Sequence, residues 1–199
     1  MDRSVAQGRP EPAVADLPID PIDPSETRKD RWVAVAIGVL LCAAALLVYL
    51  ASRTDRYYDH FVWQAAAFLE GQAAIRYPVE EVAGRFGNAF FQDVLPVATT
   101  DGVLRGLVPF PPLPALLLVP FVAVFGLLTD DQLIFTFLAA IDVGLCWWVL
   151  GRLPVRPSIR FATTILFAFG TAFWYAAQVT TTWFQAHIVA VGLLLLAVG

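Results

Sequence analysis

Long uncharged stretches alternate with short polar stretches along this chain, and the alternation predicts a bundle of membrane helices. Residues 32–51 carry no charge, and about 20 such residues are needed to cross a bilayer core. Further apolar runs cover residues 132–150, 161–177 and 183–199. We therefore predict an all-α fold, a polytopic helical membrane protein with four to five spans.

The remaining apolar stretch, residues 106–128, is long enough to span but contains five prolines. An interior proline removes a backbone donor and kinks a helix. If this stretch crosses the membrane, the arginines after residue 150 (Arg152, Arg156 and Arg160) lie outside, against the positive-inside rule. If it forms an interfacial or re-entrant element, they lie in the cytoplasm, and this second arrangement is the one we expect.

The segment before the first span, residues 1–31, contains five prolines and no periodic apolar face. This composition predicts a disordered tail. Arg28, Lys29 and Arg31 crowd its end, so we expect a cytoplasmic N-terminus and a multi-pass protein of the cell membrane. The transmembrane domain, residues 32–199, ends inside an apolar run, and we expect it to be the front part of a longer membrane protein.

Residues 52–105 then form an extracytoplasmic loop whose first part has helical periodicity. Phe61, Ala65 and Phe68 fall on one face, while His60 and Gln64 are stacked on another. Such a pattern predicts an amphipathic helix lying on the membrane surface. The rest of the loop mixes glycine, proline and polar residues, and we expect it to be irregular.

Composition supports the membrane class and excludes several functions. Apolar residues make up 58% of the chain and charged residues 15%, against roughly 25% charged in soluble domains. The net charge is −4 and no basic cluster is interleaved with aromatic residues, so the lipid bilayer is the expected partner and nucleic acid is not. The sequence has no phosphate-binding glycine loop, no GxSxG and no HExxH.

Two acids just beyond the first span are the candidate catalytic residues. Asp55 and Asp59 are four positions apart in TDRYYDHF. A carboxylate there can act as a general base or hold a divalent cation, so a metal cofactor stays open. The alternative is that both are solvated loop acids.

Four further polar residues are expected near the same membrane face and are candidate substrate-binding residues: His60, Gln64, Gln185 and His187. An ionisable residue in an apolar helix such as WFQAHIVAVGLLLL is a functional hypothesis by default. The alternative for His187 is hydrogen bonding between helices. Asp142 lies near the middle of its span, and Thr163 and Thr164 are its candidate partners.

The order of these parts resembles the amino-terminal portion of integral-membrane GT-C glycosyltransferases, the superfamily of protein O-mannosyltransferases and of enzymes that add aminoarabinose to lipid A. The resemblance is carried by one span, an outer loop with acids and a helix ending in FLEG, and the segment PFPPLPALLLVPFVAVFG. The positions that match within that segment are Pro111, Pro112, Leu113, Phe125 and Gly126.

The resemblance implies transfer of a sugar from a polyprenyl-phosphate donor, at the outer face, to a lipid, glycan or protein acceptor. It implies that a carboxylate of the first outer loop, Asp55 or Asp59, is the base or a metal ligand. The family commonly shows an adjacent Asp-Glu or an Asp-x-Asp, whereas Arg56 and His60 follow the acids here. The alternative is a non-enzymatic membrane protein, such as a transporter part or accessory subunit, in which Asp142 and His187 form a polar path or join helices.

Overall fold

The computed structural model describes residues 24–54, 58–78, 93–100 and 102–199, and within them the chain is mostly helical. The described helices are α1 (Pro24–Ser52), α2 (His60–Leu69), α3 (Leu113–Phe125), α4 (Asp131–Leu150), α5 (Pro157–Gly170), α6 (Ala172–Val179) and α7 (Thr182–Val198). A 3₁₀ turn, Gly126–Leu128, follows α3. The described strands are β1 (Ile75–Arg76), β2 (Leu95–Ala98) and β3 (Leu104–Leu107).

Two of the described helices are long and apolar enough to cross a membrane, Arg28–Ser52 of α1 and Asp131–Leu150, which is α4. Helices α5 and α6 make a third if this pair, bent by 52°, counts as one broken span. Leu113–Leu128 and α7 are shorter apolar helices. The four to five spans expected from the sequence are therefore not confirmed, and length and composition support two or three among the described residues.

Helices α1 and α4 pack side by side in opposite directions. Near the start of α1, Trp147 Nε1 of α4 donates a hydrogen bond to the Ala34 carbonyl at 2.8 Å. Beyond the other end of α1, Arg53 forms an ion pair with Asp130 at 3.1 Å. The Trp147 ring can pack closely against α1 because Gly38 has no side chain. A Cβ at Gly38 would lie 2.9 Å from the ring. The basic residues before the first span and those after α4 therefore lie at one end of the bundle.

Helix α7 runs parallel to α4 and packs against it. Gln185 contacts Asp131 near the first turns of both helices. Further along, Gly192 passes close to Asp142, because a Cβ at Gly192 would lie 2.6 Å from Asp142 Oδ1. A side chain at this position would displace the Asp142 carboxyl.

Helices α5 and α6 follow each other with a bend of 52° between them, and both pack against α1. The Tyr49 hydroxyl of α1, buried in the core, donates to the Ala168 carbonyl of α5 at 2.9 Å. The Tyr49 ring also packs edge-on against Phe169 and beside Trp174. At the bend, Thr171 caps α6 by accepting a hydrogen bond from the backbone of Phe173.

Helix α2 differs from the predicted surface helix, because it is buried on almost every side. His60, Phe61 and Val62 have no exposed surface. Helix α3 packs along α2, while Trp63 joins a second core with Ile75 and other residues of the loop. The amphipathic pattern is present, but both faces of the helix contact other parts of the protein. That the helix lies at the membrane surface is not confirmed and stays a prediction.

The loop also contains a sheet where irregular structure was expected. The strands are antiparallel in the order β1–β3–β2, with Ile75 opposite Gly106 and Val97 opposite Arg105. Gly106 is required at the centre, because a Cβ there would lie 2.4 Å from the Val94 side chain. Strands of two to four residues are too short to show a period in the sequence. The described chain is thus mostly helical, as predicted, with a small sheet that the sequence did not predict.

The predicted tail and the predicted span boundary also differ from the structure. Residues 24–31, which were assigned to the disordered tail, are the first turns of α1. A helix nucleated by the apolar run extends at low cost, and proline is tolerated in a first turn. Residues 1–23 lie outside the described residues.

The antiparallel pairing of α1 with α4 predicts that Ser158 and Thr100 lie on opposite sides of a membrane. Both residues are exposed. Single cysteines placed there, in a background lacking Cys42 and Cys146, should be labelled from opposite sides of sealed vesicles by a membrane-impermeant maleimide. Labelling of both from one side would contradict the arrangement.

Candidate functional site

Buried polar side chains gather at the end of the bundle where α1 ends and α4 and α7 begin. Each of them has at most 6% of its surface exposed. Burying polar groups together costs free energy unless they are hydrogen-bonded. We call this group the polar cluster, and it consists of His60, Asp131, Gln132, Thr136, Thr180, Thr181, Thr182 and Gln185.

The two glutamines of the polar cluster bind backbone carbonyls at the turn between α6 and α7. Thr180 has a left-handed backbone, with φ 37°, so the helix breaks and its last carbonyls lose their helical partners. Gln132 Nε2 donates to the Val179 carbonyl at 2.8 Å, and Gln185 Nε2 donates to the Thr180 carbonyl at 2.9 Å. The two amides thereby satisfy buried backbone groups that water would otherwise solvate.

Asp131 is the buried acid of the polar cluster. Its Oδ2 accepts from Gln185 Nε2 at 2.6 Å, and its Oδ1 accepts from the backbone of Gln132 at 2.9 Å. The preceding acid, Asp130, caps α4 by accepting from the Leu133 backbone at 2.8 Å. Because Asp130 serves as the cap and pairs with Arg53, Asp131 is left to face the interior.

His60 connects α2 to the start of α7. Its Nδ1 lies 2.9 Å from Thr182 Oγ1, and that hydroxyl lies 3.0 Å from the Tyr58 carbonyl. A hydroxyl that donates to Tyr58 accepts from Nδ1, which leaves the imidazole lone pair on Nε2. Burial lowers the pKa of His60 to about 4, although the charge of Asp93 and a backbone hydrogen bond to Tyr58 oppose the shift. The ring is therefore neutral near pH 7.

Asp59 lies at the edge of this region, directly before α2. It occupies the cap position of α2, but its side chain makes no capping hydrogen bond. Burial raises the pKa of Asp59, and the charge of Asp130 raises it further. A half-buried carboxylate with a raised pKa is better matched to taking a proton near neutral pH than an ordinary surface aspartate.

The predicted site residues separate into different environments. His60 and Gln185 belong to the polar cluster, and Asp59 lies beside it. Gln64 is buried in α2, and its Oε1 has no hydrogen-bond partner among the described residues. Asp55 lies outside the described residues.

His187 is not brought to the polar cluster, contrary to expectation. Its side chain is exposed, and Nδ1 lies 2.6 Å from the Trp183 carbonyl of its own helix. Successive residues of a helix are about 100° apart, so Gln185 and His187, two positions apart, face nearly opposite directions. The two residues are close together along α7, but they lie on different faces of the helix.

Asp142 has neither of its predicted partners. Thr164 donates instead to the Arg160 carbonyl of its own helix at 2.9 Å. Asp142 is buried beside Gly192, and its Oδ2 has no hydrogen-bond partner among the described residues.

Sequence reasoning missed Asp131 and Gln132. The usable signal was the segment TDDQ, a pair of acids directly before an apolar run, since one acid suffices to cap a helix. The second acid then needs another explanation. The contact of Thr182 with His60 of α2 carried no signal in the sequence.

An apolar groove of about 640 Å³ lies next to the polar cluster, between α3 and α4. Its walls include Leu117, Phe121 and Phe137, and its lining also contains Thr129 and Asp130. Among the described residues, no group of three or more His, Cys, Asp or Glu side chains is arranged to hold a metal ion. Searches against protein-family models, curated proteins and solved structures found no significant match to this chain.

Replacing Gln185 should destabilise the protein, and replacing His187 should not. Gln185→Leu leaves the Asp131 carboxyl and the Thr180 carbonyl without their donor, at a cost of roughly 1–3 kcal/mol. His187→Leu, on the exposed face of the same helix, is the matched control. Thermal unfolding in detergent measures both, and equal stability of the two variants would contradict the assignment.

The buried imidazole of His60 predicts a loss of stability in acid. Its pKa is about 4 in the folded chain against an ordinary 6.5, so the unfolded chain binds more protons between these values. Stability contributed by the neutral ring is therefore present above pH 6.5 and decreases as the pH falls toward 4. The midpoint of thermal unfolding should fall less steeply over this range in His60→Gln.

His187→Gln controls for the loss of a histidine as such, because that side chain is exposed. It should follow the pH profile of the unmodified protein. Parallel profiles for His60→Gln and the unmodified protein would show that His60 is not held neutral by burial.

Proposed function

We propose that this chain is a membrane glycosyltransferase, or the amino-terminal part of one, which transfers a sugar from a polyprenyl-phosphate donor to a lipid, glycan or protein acceptor. The observation that carries the proposal is the polar cluster, gathered at one end of the helices beside Asp59 and beside an apolar groove. A polyprenyl-phosphate sugar likewise has two parts, an apolar chain that would match the groove and a polar head that would match the cluster.

Asp59 is the proposed general base. It is half-buried, makes no capping bond and has a raised pKa. In the proposed step Asp59 takes the proton of an acceptor hydroxyl, whose oxygen attacks the anomeric carbon. The bond from that carbon to the donor phosphate breaks, and polyprenyl phosphate leaves with inversion at the carbon. Asp55 remains the second candidate for this role.

Unfilled hydrogen-bonding capacity in the polar cluster supports binding of a hydroxyl-rich ligand. Thr180 Oγ1 and Gln185 Oε1 are buried without a hydrogen-bond partner among the described residues. Buried polar atoms rarely remain so, and sugar hydroxyls can both donate and accept. The apolar groove between α3 and α4 is the proposed seat of the polyprenyl chain.

The distribution of basic residues supports an outward-facing site. Because α1 and α4 are antiparallel, Arg28, Lys29 and Arg31 lie at the same end as Arg152 and the following arginines. The positive-inside rule assigns that end to the cytoplasm. The polar cluster lies at the opposite end, where lipid-linked sugars presented at the outer face would be met.

A non-enzymatic role, as a transporter part or accessory subunit, is the second candidate, and Asp142 is the observation that favours it. Its carboxyl is buried midway along α4 without a partner on Oδ2 among the described residues. However, transport sites near the midplane combine several polar groups. Thr136, the nearest member of the polar cluster on α4, is six residues away, about 9 Å along the axis.

Asp59→Asn should lower turnover of a polyprenyl-phosphate sugar by roughly 10²-fold or more, the usual contribution of a general base. The measurement is release of polyprenyl phosphate from a labelled donor by membranes containing the protein. Glu70→Gln is the control, since Glu70 is an exposed acid of the same loop, paired with Arg76.

Asp55→Asn, measured in parallel, decides between the two loop acids. Normal turnover in both Asp variants would exclude a loop carboxylate as the base. The transporter hypothesis would be favoured by two results together. The unmodified protein would not turn over the donor, and Asp142→Asn would alter solute flux in vesicles.

A further inference from the structure

A second groove lies between α1 and α4, at the end of the bundle opposite the polar cluster. Its volume is about 600 Å³. The apolar part of the lining comes from residues such as Val35, Val39 and Ile141, with Gly38 and Gly144 leaving the space between the helices. This groove shares no lining residue with the one beside the polar cluster.

Three arginines belong to the lining of this groove: Arg31, Arg152 and Arg160. The lining contains no acidic residue, and none of the three arginines makes an ion pair with a described residue. Asp30 is exposed beside Arg31 on α1 but does not line the groove. Within the part of the chain that the structure describes, the groove therefore combines an apolar wall with three arginines that have no acidic partner.

Two of the three guanidinium groups are held in position by tryptophans. The Arg160 guanidinium lies 3.5 Å from the centre of the Trp147 ring, and its Nε donates to the Trp147 carbonyl at 2.8 Å. The Arg152 guanidinium lies 4.0 Å from the centre of the Trp148 ring. Stacking on an aromatic face leaves the edge donors of a guanidinium available to an anion. Tryptophan also favours the boundary between lipid and water.

We propose that this groove binds an anionic phospholipid, with the phosphate against Arg31, Arg152 and Arg160 and an acyl chain along Val35 and Val39. Arginine suits phosphate because its planar fork offers paired donors. Basic pockets between membrane helices recognise anionic head groups in this way. The site is separate from the proposed sugar chemistry and does not depend on it.

The test is a lipid titration of the purified protein in detergent, followed by thermal unfolding and by native mass spectrometry. Phosphatidylglycerol should raise the unfolding midpoint and remain bound in the spectrometer, whereas phosphatidylcholine with the same chains should do neither. Removing a basic residue that contributes about 1 kcal/mol to binding weakens the apparent affinity roughly fivefold. Arg31→Gln and Arg152→Gln should each show this loss, and the double variant roughly a 30-fold loss.

Arg156→Gln is the matched control, because Arg156 is an exposed arginine at the same end that does not line the groove. It should bind phosphatidylglycerol like the unmodified protein, and Arg152→Lys should retain more affinity than Arg152→Gln. Val39→Trp tests the acyl-chain part without changing charge, and it should weaken binding of phosphatidylglycerol.

Several outcomes would overturn the proposal. One is equal stabilisation by phosphatidylcholine, which would show that charge is not recognised. Another is an equal loss in Arg156→Gln, which would show a general surface effect. Stabilisation by inorganic phosphate as strong as that by phosphatidylglycerol, with Val39→Trp unaffected, would show an anion site that does not hold a lipid.

Discussion

The break between α6 and α7 imposes the constraint on which the rest of the site depends. It leaves the carbonyls of Val179 and Thr180 inside the bundle, where an unpaired backbone group is costly. Amides from Gln132 and Gln185 satisfy them, and the second amide also holds the buried Asp131. The first role of the polar cluster is thus to satisfy buried backbone carbonyls. Its candidate chemistry uses side chains that are held in place by these hydrogen bonds.

These bonds also join the first turn of α4 to the start of α7. Together with the approach of Gly192 to Asp142 further along, this contact shows that the two helices run parallel, while α1 runs against them. One end of the bundle therefore collects a buried acid, two amides, an imidazole and several hydroxyls, and the other collects arginines and tryptophans. The proposed sugar transfer and the proposed lipid site use opposite ends and make independent demands on the chain.

The parts that were predicted correctly are those in which local composition is sufficient. The uncharged runs at 32–51 and 132–150 are helices long and apolar enough to cross a membrane, because run length alone carries that information. The periodicity of 60–69 identified a helix, yet the burial of both its faces required α3 and the sheet. The strands escaped prediction because each is short and is stabilised by its partners.

The site divides in the same way. By itself the sequence determined that the chain forms long apolar helices with few polar residues among them, because a chain so poor in charge must satisfy its backbone within each helix. Only the tertiary structure decided which polar residues meet: it turned Gln185 inward and His187 outward, and it brought Asp131 into contact with Gln185. The contact between Asp131 and Gln185 joins residues 54 positions apart, and such a contact depends on how α7 packs against α4.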